Sequence, residues 1–256
     1  MTVRVARFRA VLAYDGSGYY GFQRQAGDTP TIQGTVEAAI ERVTQQPVPV
    51  IGAGRTDSGV HAAGQVIAFD VAWQHTTNDL WRALNANLPD TIAIRSLEET
   101  APDFHPRFSA RSRTYVYTLY AAPVRQPLLG RYAWHVPSRT ALDLSAMAQG
   151  AARLIGWHDF ATFGQPPQGE NTVREVLRSA FDEGPGPVPG EPVIRYTIEA
   201  NAFLYRMVRR IVGALVRIGQ GALSLDEFDA IFRAADVLWP NQTAPACGLC
   251  LTEVTY

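Results

Sequence analysis

Segments with an apolar residue at every second position alternate along this chain with segments where the apolar residues fall every third or fourth, in both halves. The first period is the face repeat of a strand and the second that of a helix, so the interleaving limits the chain to an α+β architecture. Val5 to Tyr14 sets Phe8, Ala10, Leu12 and Tyr14 against Arg7 and Arg9, a half-buried strand. YDGSGYYGFQRQ follows as a glycine-rich turn. Pro30 and Thr31 then start a helix with Ile32, Val36, Ile40 and Val43 on one face. A short strand at Val48 to Ile51, a longer one at Gln65 to Val71, a helix capped by Thr77 and a strand at Thr91 to Leu97 complete the first half.

The second half begins near Phe104. Strands are expected at Arg113 to Tyr120, Thr172 to Phe181, Val193 to Glu199 and Leu249 to Thr255. Helices are expected at Asp143 to Ile155, ended by Gly156, and at Phe203 to Ile218. A further helix opens at Ser224, where Glu227 completes a capping-box pattern. DEGPGPVPGEP, between two of these strands, reads as a mobile surface hairpin. Each half carries much the same inventory. The expectation is two similar α+β lobes, 1–105 and 106–256, with a cleft between them.

At 256 residues, 46% hydrophobic and 18% charged, the composition is that of a globular protein with a sizeable core. No apolar run approaches the length of a membrane span, Met1 to Ala10 has no signal-peptide core, and two cysteines make no disulfide framework. The expected location is the cytoplasm. The net charge of −1 does not mark a basic nucleic-acid binder, but all 23 basic residues are arginine. A Schiff-base lysine and a lysine-bearing phosphate loop are therefore excluded. Arginines cluster at Arg107, Arg111 and Arg113, and again at Arg206, Arg209, Arg210 and Arg217, where guanidinium forks suit phosphates and stack on bases.

GAGRTDSGVHA, Gly52 to Ala62, carries the most pointed chemistry. Asp57 lies on a loop after a strand, among Gly52, Gly54 and Gly59, with Arg55 two residues before it. It can cap its own turn, as aspartates in such loops do. Metal binding needs more ligands than Asp57 and His61 supply. A nucleophilic carboxylate, held ionised by Arg55, is the third possibility. FHPRFSARSRTYVYTLY, Phe104 to Tyr120, puts Arg113, Tyr115 and Tyr117 on one strand face, a pattern that suits bases and phosphates or a plain core. In NAFLYRMVRRIVGALVRIG, Leu204, Met207, Val208, Ile211, Leu215 and Ile218 form a core stripe; Arg206, Arg210 and Arg217 share the far, solvated face, and Arg209 sits apart. Cys247 and Cys250 have C-x-x-C spacing but no second pair, and read as ordinary buried cysteines in the closing strand.

Together, YDGSGYYGFQRQ, GAGRTDSGVHA, FHPRFSARSRTYVYTLY, ANAFLYRMVRRIVG and APACGLCLTEVTY closely resemble the tRNA pseudouridine synthase A family, almost end to end. The resemblance implies the pseudouridine synthase fold, two α+β lobes from a ferredoxin-like duplication with a central, mostly antiparallel sheet and a basic cleft. It implies a homodimer that needs no cofactor or metal and isomerises uridines 38, 39 and 40 in the tRNA anticodon stem-loop. Asp57 matches the nucleophile, Tyr115 the tyrosine stacked under the target base, and Arg209 an arginine expected near the aspartate. Arg55 would displace and replace the flipped base. Val116 departs from the pattern, which has a basic residue there, and the family's lysines are all arginines. The loops around Gly164–Gly169 and Asp182–Glu191 are candidates to clamp RNA. Two rivals stay open: a silent RNA-binding protein with no use for Asp57, and a carboxylate nucleosidase drawing a second acid from Asp70 or Asp103.

Overall fold

A computed structural model of the chain describes residues 4–138, 140–166, 169–237, 239–240 and 242–256. The elements run β1 Val5–Tyr14, α1 Ile32–Thr44, β2 Ile51–Gly52, β3 His61–Ala72, α2 Thr77–Asn87, β4 Ile92–Glu99 and β5 Ser112–Ala122. They continue with β6 Trp134–Pro137, α3 Leu144–Ala152, β7 Gly156–Asp159, β8 Val173–Pro185, β9 Pro192–Ala200, α4 Met207–Gly219, α5 Leu225–Ala234 and β10 Leu249–Thr255. The chain divides into two compact units, 1–111 with 251–256, and 112–250. The pairing of β5 with β6 is parallel while β1 pairs antiparallel with β3 and β4, so the architecture is α+β with a mixed sheet.

In the first unit the strand order is β4-β1-β3-β10, with β2 on β3. Phe8 lies opposite Phe69 in the β1/β3 register, and their rings stack at 5.8 Å. Phe8, Leu12, Ile67 and Phe69 form the buried floor that Ile32, Ile40, Leu80 and Leu84 of α1 and α2 complete. Thr31 caps α1 by accepting the Gly34 N–H. The cap of α2 is Thr76 rather than Thr77: its hydroxyl accepts the Asp79 N–H at 3.1 Å, and the Asp79 carboxylate accepts the Thr76 N–H at 3.2 Å. That reciprocal pair makes a capping box one residue earlier than expected.

In the second unit the order is β5-β9-β8-β7. In the expected 182–192 hairpin the ladder continues past Phe181 as far as Pro185. Asp182 pairs with Arg195, Gly184 with Val193 and Pro185 with Pro192, leaving 186–191 as the loop. Val188 packs on a cluster of Tyr120, Leu129, Ala133 and Val193, and Gln126 Nε2 donates to Glu191 Oε1 at 2.6 Å. Of the 164–169 loop, residues 167 and 168 lie outside the described residues.

Helix α4 starts at Met207, not Phe203, because Arg206 is left-handed at φ 59° and cannot continue a right-handed helix. Its expected stripe is buried, but so are Val212, Ala214 and Val216, and Arg210 and Arg217 are half-buried. The helix is thus more enclosed than a surface helix, and of the three arginines on the far face only Arg206 is exposed. The cysteines also differ from expectation. Cys247 sits in a short turn before β10, and both cysteines are only half-buried and form no disulfide.

Arg153, at the C-terminus of α3, ties that helix to α5 by donating to the Asp229 carboxylate and to Leu225 O. The hydrogen bond from Arg153 holds the Asp229 carboxyl below its ordinary pKa. A depressed carboxyl pKa adds stability above the unfolded value near 3.9 and loses it as pH falls through the folded one. Asp229→Asn is expected to lower the unfolding free energy at pH 7 by about 1 kcal/mol, the upper range for a partly exposed pair. Denaturant melts should show that difference closing as the pH drops below about 4; a difference constant across pH would mean the charge is not its source.

Candidate active site

The Asp57 loop is built by two stretches far apart in the chain. β1 ends at Tyr14 and runs into the 15–22 turn, and β2 runs into residues 53–60 ahead of β3. The anchor between them is Thr56, which is 6% exposed. Its hydroxyl bonds the Tyr14 hydroxyl at 2.8 Å, and its carbonyl accepts the Phe22 N–H at 3.0 Å. The turn grips the other end of the loop as well. Gly59 N and Ser58 Oγ both donate to Tyr19 O, at 3.3 and 3.1 Å, and Val60 N donates back to Asp57 O at 3.1 Å.

Two glycines of the turn make the approach possible. A Cβ on Gly16 would lie 2.1 Å from Val60 O. Gly21 has φ +91°, and a Cβ there would lie 2.8 Å from Thr56 O. From below, the fully buried Gln65 donates its Nε2 to Gly54 O at 2.9 Å. His61, 6% exposed, is a structural partner: its Nδ1 accepts the Gly16 N–H at 3.1 Å.

Within this frame Asp57 is half-buried and Arg55 exposed. Among the described residues Arg55 forms no ion pair, so the expected Arg55–Asp57 pair is absent; Thr56, turned inward between them, is the fixed point. Asp70, one candidate for a second acid, is bound to Arg7 at 2.8 Å and is its register partner on the sheet. No group of three His, Cys, Asp or Glu side chains suited to a metal occurs among the described residues.

Tyr115 and Arg209 belong to the second unit. Tyr115, opposite Ile198, is 9% exposed and meets the Phe203 ring edge-on at 5.1 Å. Tyr117, two residues on, is fully buried and donates its hydroxyl to Pro245 O at 2.8 Å. Burial pushes its phenol well above the ordinary range, so it stays a neutral donor. Arg209 and Ala244 clasp each other: Arg209 Nε donates to Ala244 O at 2.8 Å, and Ala244 N to Arg209 O at 3.1 Å. Tyr117 and Arg209 therefore hold adjacent carbonyls of the 244–245 segment. Burial likewise raises the Cys247 thiol, keeping it protonated at neutral pH.

Residues 10–109 and 151–256 match a family described as tRNA pseudouridine synthase. The chain is also 44% identical over 251 residues to a tRNA pseudouridine synthase A of Brevibacillus brevis, covering 98% of this chain and 99% of that protein. It is 40% identical over 257 residues to the tRNA pseudouridine synthase A of a Neisseria gonorrhoeae strain, covering 100% and 94%. A protein of the same name from Methylacidiphilum infernorum is 41% identical over 259 residues, covering 100% and 98%. The chain belongs to the tRNA pseudouridine synthase family. It is an isomerase acting on uridine in tRNA. The matched segments of this synthase contain the Asp57 loop and the Arg209 helix, and Tyr115 lies between them.

Sequence reasoning singled out Asp57 as a candidate and missed what holds its loop. The turn YDGSGYYGF was visible, but its packing on Thr56 and Val60 was not, because no periodicity links segments about forty residues apart. In the synthase, Gly16→Ala forces its methyl against the Val60 carbonyl and displaces the loop. A misplacement near 1 Å costs about 100-fold in rate. Single-turnover assays of Gly16→Ala should show a loss of that order with tRNA affinity within about twofold of wild type; an unchanged rate would show that the turn does not set the carboxylate's position.

Proposed function

We propose that this synthase converts uridines 38, 39 and 40 of the tRNA anticodon stem-loop to pseudouridine, as a cytoplasmic homodimer and without cofactor or metal. The proposal includes the ferredoxin-like duplication and the basic cleft of the family pattern, with lobes 1–105 and 106–256. Asp57 is the nucleophile. The N1–C1′ glycosidic bond breaks, the uracil turns, and C5 joins C1′; the C5 proton leaves and N1 ends protonated, so the atoms of the nucleotide are conserved. Asp57 can act at C1′, at C6, or by assisting removal of a ribose proton. Each route requires the uridine out of the stack, at about a few kcal/mol. Tyr115 offsets that cost by stacking, worth about 1–3 kcal/mol per base. Arg55, exposed beside the loop, takes the place of the flipped base, and Arg209 is assigned to the aspartate.

The observation that carries this assignment is the anchoring of Thr56 by Tyr14 and Phe22, immediately before Asp57. A turn aspartate with only a capping role would not need its neighbour locked at both the side chain and the carbonyl. A carboxylate that must meet one atom of a large substrate would, since preorganised geometry supplies much of an enzyme's rate. The test is pseudouridine formation on unmodified tRNA by wild type and Asp57→Ala. Wild type is expected to convert anticodon-stem uridines, and the variant to bind tRNA and convert none. Equal activity of the two would remove Asp57 from the chemistry.

A further inference from the structure

Segment 203–206 carries more than its helix needs. Phe203 packs edge-on against Tyr115, Leu204 is buried, and Tyr205 is 54% exposed. The Arg206 guanidinium lies over the Tyr205 ring, 4.8 Å from its centroid. Arg206 itself is held at φ 59° and ψ 11°, a conformation that non-glycine residues rarely adopt. The segment is pinned from outside α4. Tyr205 N donates to Gln165 O at 3.0 Å, and a Cβ on Gly164 would lie 2.6 Å from Tyr205 O. Backbone held in an unfavourable conformation clusters at functional sites, and here it carries an exposed tyrosine backed by a cation.

We infer that Tyr205 and Arg206 form a stacking shelf for a nucleobase of the RNA substrate next to the target uridine. The inference rests on the proposed function in taking RNA as the ligand. The guanidinium covers one face of the ring, and the exposure that remains lets a base lie on the other. Stacking on tyrosine tolerates every base, since each has a π-face. Arg206, exposed, brings positive charge to where a nucleic acid carries phosphate. The shelf continues from the Tyr115 stack through Phe203, so the two aromatics serve neighbouring nucleotides. A protein surface as occupant would need an acid to match the exposed Arg206; RNA matches it along its backbone.

The test measures the Kd of an anticodon stem-loop RNA for wild type, Tyr205→Phe and Tyr205→Ala. It is repeated with RNAs made abasic at the nucleotide on either side of the target. Tyr205→Ala is expected to weaken binding about 5- to 150-fold, the range for loss of one base stack. Tyr205→Phe should bind like wild type. With one of the abasic RNAs, wild type should lose the same factor and Tyr205→Ala nothing further. Arg206→Gly should raise Tm, by relaxing the backbone, while weakening binding; a purely structural pair would move the two together. Unchanged affinity in Tyr205→Ala, or a loss undiminished on both abasic RNAs, overturns the shelf. Affinity is read independently of turnover, so a wild type that binds RNA without converting uridine would refute the proposed reaction and leave the shelf to be judged on Kd.

Discussion

The hydrogen bonds that lock Thr56 to Tyr14 and Phe22 are the constraint on which the rest of the Asp57 site depends. Each is worth only about 0.5–1.5 kcal/mol net. Removing one partner costs more, about 1–3 kcal/mol, because a buried polar group is left unsatisfied. The network is shared among the end of β1, the 15–22 turn, the 53–60 loop and the start of β3, so no part can shift alone. Gly16 and Gly21 are the clearance that lets two backbones touch. The consequence lies at the chemical end of the chain of causes: a carboxylate on a glycine-flanked loop acquires a fixed position without being buried away from solvent.

The second unit solves the same problem with a helix. α4 is amphipathic and buries ten of its thirteen residues, so residues borne on it have little freedom to drift. Arg209 spends its Nε on Ala244 O, which orients the guanidinium, and the Ala244 N–H returns the bond to Arg209 O. Tyr117 fixes the next carbonyl along. Its neutrality follows from burial, and a phenol that cannot ionise is a dependable donor. Left-handed backbone is admitted at Ala235, where α5 ends, and at Arg206, where the chain turns into α4 and presents Tyr205 to solvent.

Much of this was legible in the sequence, and the parts that were not have physical reasons. Asp57 stood out because a charged residue among glycines is hard to explain by packing. β1, α1 and β10 were legible from periodicity, and α5 from its capping box. Thr76 carried the same signal through Asp79, and Thr77 obscured it by being an equally good cap. Four-residue strands such as β6 and β7 are too short to show a period. The 182–192 stretch misled through its prolines and glycines; Pro185 faces Pro192 where the ladder ends, so no pairing N–H is missed further along. The start of α4 was displaced by a left-handed arginine, which no glycine announces. The Thr56 anchor is a contact between segments distant in the chain, and a single sequence carries no pattern for such a contact.

The central claim, that the 15–22 turn holds the Asp57 loop in one position, is tested most directly by native-state hydrogen exchange at the Phe22, Gly59 and Val60 amides. These donate to Thr56 O, Tyr19 O and Asp57 O. In the free protein they are expected to exchange only through opening of the first unit, at rates close to those of the β1/β3 ladder amides, and to lose that protection in Tyr14→Phe. Exchange at unfolded-chain rates in wild type, with the β1/β3 ladder still protected, would contradict it.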